Sequence, residues 1–208
     1  MNKLLVANRG EIAIRVMRTA REMGIATVAV YSEPDRDALH ARYADEAFAL
    51  GGSSAAQSYL NAEKILEIAK RSGADAIHPG YGFFAENAGF ARAVIETGLI
   101  WVGPHPGAIE AMGDKLRARA AMVKAGVPVV PGDLKPIADL KAAERAAKEF
   151  GLPLALKAAA GGGGKGLKVA RTRDELESAL TTARREAEAY FKDGTIYAER
   201  YLDNPKHV

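Results

Sequence analysis

Apolar and polar positions follow two rhythms in the N-terminal half of the chain. Short β-rich apolar runs stand at 3–7 (KLLVA), 27–31 (TVAVY), 46–50 (EAFAL), 76–78 (AIH) and 99–102 (LIWV). Segments with helical spacing lie between several of them: Ile12, Val16, Ala20 and Met23 are predicted to share one face, and so are Ala62, Ile65, Leu66 and Ala69. Gly24, Gly73 and Gly98 fall where such helices should stop, because glycine tolerates the left-handed conformation of a helix C-terminus. Strands alternating with helices predict an α/β unit with a parallel, doubly wound sheet.

The rhythm then changes. Residues 112–125 read as a helix, and 126–132 (GVPVVPG) break the chain with two prolines and two glycines. Beyond this break, 139–150 is helical, 152–158 (LPLALKA) and 167–170 (LKVA) are strand-like, and 173–190 places Leu176, Leu180, Ala183 and Ala187 on one helical face. Residues 195–202 (TIYAERYL) resume as a strand with Ile196 and Ala198 on one side and Tyr197 and Glu199 on the other. The expected division is a first domain over 1–112, a connecting helix and linker over 113–132, a small α+β lobe over 133–202, and the start of an interrupted third part over 203–208.

Composition narrows the function classes. With 48% hydrophobic and 26% charged residues the chain can bury an ordinary core. Twenty-nine basic and 26 acidic residues leave a net charge of +3, too balanced for a nucleic-acid partner but compatible with a few cations serving a small anion. No cysteine is present, so disulfides, thiolate catalysis and Cys-based zinc sites are excluded together. His40, His78, His105 and His207 lack metal-ligand spacing, and no metal site is expected on them. The start, MNKLLVANRG, is too short in apolar length for a signal or membrane segment, so a cytoplasmic protein with no membrane partner is expected.

The most informative chemistry is at Lys157-Ala-Ala-Ala-Gly161-Gly-Gly-Gly-Lys165-Gly166, where glycine fills five of the six positions 161–166. Bare backbone of this kind can turn several N–H groups onto one anion, and its entropic cost is hard to justify for a mere spacer. A Walker loop would need lysine at 167, which is Leu167, and the following segment reads as a strand and not a helix. A dinucleotide fingerprint fails on the same context. A glycine loop between two strands, with a lysine one strand-end upstream, suits an ATP-grasp lid closing over a triphosphate; the plainer alternative is a flexible surface hairpin. Lys165 fits a solvated loop cation as well as a phosphate contact.

Several stretches together resemble biotin carboxylase, the ATP-grasp component of acetyl-, propionyl- and methylcrotonyl-CoA carboxylases and of pyruvate carboxylase. They are Ala7-Asn-Arg-Gly-Glu-Ile-Ala13, His78-Pro-Gly-Tyr-Gly-Phe83 with Glu86-Asn87, Met112-Gly-Asp-Lys115, the glycine loop, and Glu199-Arg-Tyr-Leu202 with Asn204-Pro-Lys-His207. They run in order over the whole chain. The resemblance implies a Rossmann-like pre-ATP-grasp domain over 1–112 and an ATP-grasp lid over 133–202. It implies that Lys115 and Lys157 hold ATP phosphates, and that Gly161, Gly162, Gly163, Gly164 and Gly166 form the lid cradle. By the same resemblance Glu199 accepts the adenine amino group, Leu202 is the hinge beside the adenine ring, and His207 lies near the ribose. Tyr81 and Glu86 would edge a biotin and bicarbonate pocket. Leu167 and Lys165 depart from the methionine and arginine common there, both mild changes.

The implied reaction has bicarbonate attack the γ-phosphate of ATP, with Mg²⁺ or Mn²⁺, to give carboxyphosphate; the carboxyl then passes to biotin on a carrier protein or domain. A carboxyltransferase component and a homo-oligomer are the further partners implied. Metal-binding glutamates, a bicarbonate-binding arginine and the general base are expected beyond Val208, so no catalytic residue is assigned within 1–208. Read without the resemblance, Lys115 could be a solvated residue near a helix start, Glu199 a strand-face ion-pair partner, and Tyr81 and Phe83 packing residues at a sheet edge. Another ATP-grasp ligase and a non-catalytic nucleotide-sensing module are the alternatives from other classes.

Overall fold

The computed structural model describes residues 1–160 and 166–206, which fall into two compact units, Met1–Glu110 and Ala111–Val208. In the first, β1 (Lys3–Val6), β2 (Ala26–Tyr31), β3 (Glu46–Ala49), β4 (Ala76–His78) and β5 (Ile100–Trp101) form one parallel sheet in the order β3-β2-β1-β4-β5. The alternation of strand side chains splits its core in two. Leu5, Ala7, Val28, Val30 and Ile77 pack on one side with α3 (Ala62–Ser72) and α4 (Ala88–Glu96), through Ile65, Ile68, Phe90 and Val94. Leu4, Val6, Ala29 and Ala76 pack on the other against Ala13, Met17 and Ala20 of α1 (Gly10–Glu22). Both faces are covered, as a parallel sheet requires.

The buried stripe of α1 differs from the one expected. Ala13, Met17 and Ala20 are inside, whereas Ile12 and Val16 are only half-buried and Met23 is exposed. Ile12, Val16 and Met23 instead line an apolar groove of about 570 Å³ together with Leu4, Ile25 and Val102. Two stripes one residue apart on the helix are both apolar, and only the sheet's position decides between them. The short α2 (Leu39–Tyr43) carries no expectation from the sequence, and α4 is foreshadowed only by its stop at Gly98; it begins where Asn87 accepts a hydrogen bond from the Phe90 amide at 2.8 Å.

The helix expected over 112–125 is two helices, α5 (Pro106–Gly113) and α6 (Lys115–Lys124). Asp114 separates them: its backbone is extended and its carboxylate accepts from the Arg117 amide, so it caps a new helix where the pattern of apolar residues runs on unbroken. After it come α7 (Leu140–Phe150), β6 (Leu154–Ala158), β7 (Leu167–Ala170), α8 (Leu176–Phe191) and β8 (Ile196–Arg200). The three strands make an antiparallel sheet in the order β7-β6-β8. Leu154, Leu156, Ala158, Ile196 and Ala198 pack against α7 and α8, and Leu176, Leu180, Ala183 and Ala187 supply the buried face of α8 as expected. The pleat therefore sends Lys157, Tyr197 and Glu199 to the opposite face of the sheet.

Candidate functional site

In the first unit the chain order reverses between β1 and β4, and the crevice beyond the carboxyl ends of such neighbouring strands is where open α/β sheets bind ligands. The two motifs following these strands meet there. Asn8, after β1, donates through Nδ2 to the carbonyls of Pro79 and Tyr81, after β4, at 2.7 and 2.8 Å. Gly80 has φ +67°, and a Cβ on it would lie 2.7 Å from Asn8 Nδ2, so glycine is required for the clamp to close. Its amide donates to His78 Nδ1 at 2.9 Å, and burial pushes the His78 imidazole below its ordinary pKa.

A second brace holds the far end of this loop. Phe83, at φ 42°, stacks on Tyr59 with ring centroids 5.2 Å apart. The Tyr59 hydroxyl donates to Asp35 at 2.8 Å and accepts from the Ser32 amide at 3.1 Å. Burial works to raise the Asp35 carboxyl, but hydrogen bonds from Tyr59 and Ser32 and the charge of Arg9 hold it below the usual range. Between these two braces Tyr81 stands exposed with its hydroxyl 3.5 Å from Glu11, and Glu86 is exposed further along the same loop.

In the second unit, cations gather around one carboxylate. Ala155 of β6 is paired with Glu199 of β8, which puts Lys157 diagonally across from Glu199 on the same face. Lys157 Nζ is ion-paired with Glu199 Oε1. Lys115 and Arg119, four residues apart on α6, share a helix face that meets this cluster. Arg119 Nη1 reaches Glu199 Oε2 at 3.3 Å, and its Nη2 donates to the Val130 carbonyl. Lys115 Nζ donates to the Ala158 carbonyl at 3.1 Å. Burial, then the charge of Lys157, lower the pKa of Lys115 against the opposing pull of Glu199.

Gly166 lies beside Lys115's acceptor. The Ala158 amide donates to the Gly166 carbonyl at 2.9 Å, and with φ +69° a Cβ there would come 2.9 Å from Ala158 Cβ. Tyr197, under the same cluster, is pushed up to about 12 by burial and then by Glu199. Asp133 is raised by burial against the charge of Arg145; its buried Oδ2 and the buried Nε of Arg119 have no hydrogen-bond partner among the described residues.

Of the residues expected at a nucleotide site, Lys115, Lys157, Glu199 and Gly166 thus come together. Leu202 is exposed just after β8, while Gly161, Gly162, Gly163, Gly164, Lys165 and His207 lie outside the described residues. Sequence reasoning passed over Arg119 and Asn8. The four-residue spacing of Arg119 from Lys115 was a usable signal, but Asn8 meets its partners across more than 70 residues of chain. Lys115, Lys157 and Arg119 against the single carboxylate of Glu199 leave an excess of positive charge. Such a cluster suits a polyanion, and the carboxylate, though paired with Lys157 and Arg119, keeps acceptor capacity for a hydrogen-bond donor on the same ligand.

A parallel switch-point domain followed in the chain by an antiparallel lobe with this cluster has clear relatives. Residues 1–109 match the family model described as biotin carboxylase, N-terminal domain, and 114–208 match the ATP binding domain of the carbamoyl-phosphate synthase L chain. The chain belongs to the biotin carboxylase family. It is 56% identical to the biotin-dependent acyl-coenzyme A carboxylase alpha3 subunit of Mycobacterium leprae, over 99% of this chain and 34% of the relative. A biotin carboxylase from Campylobacter jejuni, solved as a β-γ-ATP complex, matches with TM-score 0.90 and 46% identity over 98% of this chain and 46% of that one. The biotin carboxylase domain dimer of the Hydrogenobacter thermophilus 2-oxoglutarate carboxylase, solved with MgADP, ADP and bicarbonate, matches with TM-score 0.87 and 48% identity, over 97% of this chain and 44% of that one. The chain therefore spans between a third and a half of the length of these proteins. Among the described residues no helix is long and apolar enough to cross a membrane.

Proposed function

We propose that this chain supplies the nucleotide-binding front part of an ATP-dependent biotin carboxylase, acting with bicarbonate and carrier-borne biotin through carboxyphosphate. The observation that carries the reading is the meeting of Lys115, Lys157 and Glu199 beside Gly166 on the face of the antiparallel sheet opposite α7 and α8. Family membership and relatives solved with nucleotide and bicarbonate support it.

Lys115 and Lys157 neutralise phosphate oxygens as compact charges, which is the main contribution a protein makes to phosphoryl transfer. Glu199 accepts from the adenine amino group, with Leu202 beside the ring. Gly161–Gly164 and Gly166 close over the phosphates and exclude water, which would otherwise hydrolyse carboxyphosphate. Tyr81 and Glu86, on the loop clamped by Asn8, border the pocket for biotin and bicarbonate. Magnesium or manganese accompanies the triphosphate in this reading, yet the described residues gather no group of three or more His, Asp or Glu side chains. They do not fit a metal centre of their own, and the roles assigned here are charge placement and base reading. A biotin carboxyl carrier, a carboxyltransferase component and a second copy of the chain are the proposed partners. An acyl-CoA carboxylase is the favoured setting, on the strength of the mycobacterial relative.

The test is biotin- and bicarbonate-dependent ADP release by the natural polypeptide beside its Lys157→Ala variant. Biotin is expected to stimulate release and the variant to lose roughly a hundredfold or more, while residues 1–208 alone show no turnover. ATP turnover indifferent to biotin would move the reading to another ATP-grasp ligase; nucleotide binding without turnover would make it a sensing module.

A further inference from the structure

Glu199 is held by two cations of unlike character. Its side chain is 13% exposed, and each oxygen has its own partner: Lys157 on Oε1, Arg119 on Oε2. The base of the side chain is fixed as well, since Gly132 bridges to Glu199 and a Cβ on Gly132 would lie 2.6 Å from Glu199 Cβ. Arg119, 10% exposed, ties the carboxylate to the segment leading into that bridge through Val130. Its guanidinium is planar and committed on two arms. Lys157, 31% exposed, presents a point charge on a flexible stem.

A phosphate can claim only one of these cations. Lys157 is the one with the exposure and the freedom to turn, and its turning would strand a largely buried carboxylate if nothing else faced it. We propose that Arg119 is a positioning residue: it remains on Glu199 as a fixed counter-charge, so that Lys157 can transfer from the carboxylate to phosphate while the carboxylate stays oriented for the base. Arg119 touches neither phosphate nor base in this role. The inference rests on the nucleotide reading of the cluster and adds to it a division of labour between the two cations.

The experiment measures KM for ATP and for GTP, and kcat, in the natural polypeptide with Arg119→Met, Arg119→Lys and Glu199→Gln. Arg119→Met keeps the stem and removes the charged fork. It is expected to raise KM for ATP about tenfold, to lower the ATP-over-GTP preference by a similar factor, and to leave KM for bicarbonate unchanged. Arg119→Lys restores the charge without the fork and is expected to fall between, and it serves alone if the methionine variant does not fold. A merely structural role would lower active protein and leave the nucleotide preference untouched. An unchanged ATP-over-GTP ratio in both Arg119 variants, where Glu199→Gln does lower it, overturns the proposal and leaves the reading standing. If Glu199→Gln also leaves the ratio unchanged, the adenine reading falls and the proposal falls with it.

Discussion

The two units fill their cores with different materials. On one side of the parallel sheet the buried cluster has four alanines among seventeen residues, and Leu, Ile, Val, Phe, Tyr and Trp make up the rest. In the antiparallel lobe nine of the fifteen are alanine, concentrated on α7, α8 and the strands they cover. Large side chains fill that side of the parallel sheet, while its other side, with four alanines among eight buried residues, is closer in composition to the lobe. Small ones allow two helices to approach a three-stranded sheet closely, and they leave its other face to Lys157, Tyr197 and Glu199. The α3 and α4 side of the first unit is therefore vulnerable to truncation and the second unit to enlargement.

The strongest way to break that contrast is to exchange the insults. Leu5→Ala, at a fully buried position of β1, is expected to cost about 2–5 kcal/mol in denaturant-induced unfolding. Ala183→Leu, fully buried on α8, is expected to cost about 1–3 kcal/mol by overpacking. If the larger residue is accommodated without loss, the close approach of α8 to the sheet is not what the alanines serve.

A smaller effect is expected at the switch point. Gly80→Ala meets both a left-handed backbone and the Asn8 side chain, and about 1–2 kcal/mol of strain follows from the backbone alone. Because the clamp sets the Tyr81 carbonyl, KM for biotin should rise in this variant while KM for ATP stays near wild type.

The mildest test is acid. His40 is 1% exposed, its Nε2 donates to the Val30 carbonyl at 3.2 Å, and burial holds its pKa below the ordinary value. A depressed folded pKa means that the unfolded chain takes up the proton first. Stability should therefore fall as pH drops through about 6.5 and level off below the folded pKa. Among its described residues the second unit has no histidine, so hydrogen exchange at pH 5.5 should accelerate in β1 and β2 more than in β6. Equal acceleration in both would assign the acid sensitivity elsewhere.

Much of the fold was legible because the signals were local. Gly24, Gly73 and Gly98 all adopt positive φ, with values of 72°, 66° and 81°. The expected strands are present, most with trimmed ends: 195–202 shortens to Ile196–Arg200 and 99–102 to Ile100–Trp101, while 76–78 and 167–170 keep their bounds and 27–31 gains Ala26. Where two neighbouring stripes of one helix were both apolar, as on α1, periodicity placed Ala20 inside correctly but centred the buried face one residue away from Ala13 and Met17. Where one aspartate could end a helix and start another, as at Asp114, periodicity saw no break.

What the sequence determined by itself is the class of most elements, the side of β8 that Glu199 takes, and the chemistry of its motifs. These depend on interactions between residues a few positions apart: strand alternation, helix spacing, caps, and glycine's access to left-handed backbone. Tertiary structure alone decided that Asn8 closes on the loop after His78, that Ala13 and Met17 are buried against the sheet more deeply than Ile12 and Val16, and that Arg119 shares Glu199 with Lys157. The first and last of those outcomes join residues 71, 73, 80 and 42 positions apart. No short-range pattern encodes them, because they depend on which surfaces the packed sheets bring within hydrogen-bonding distance.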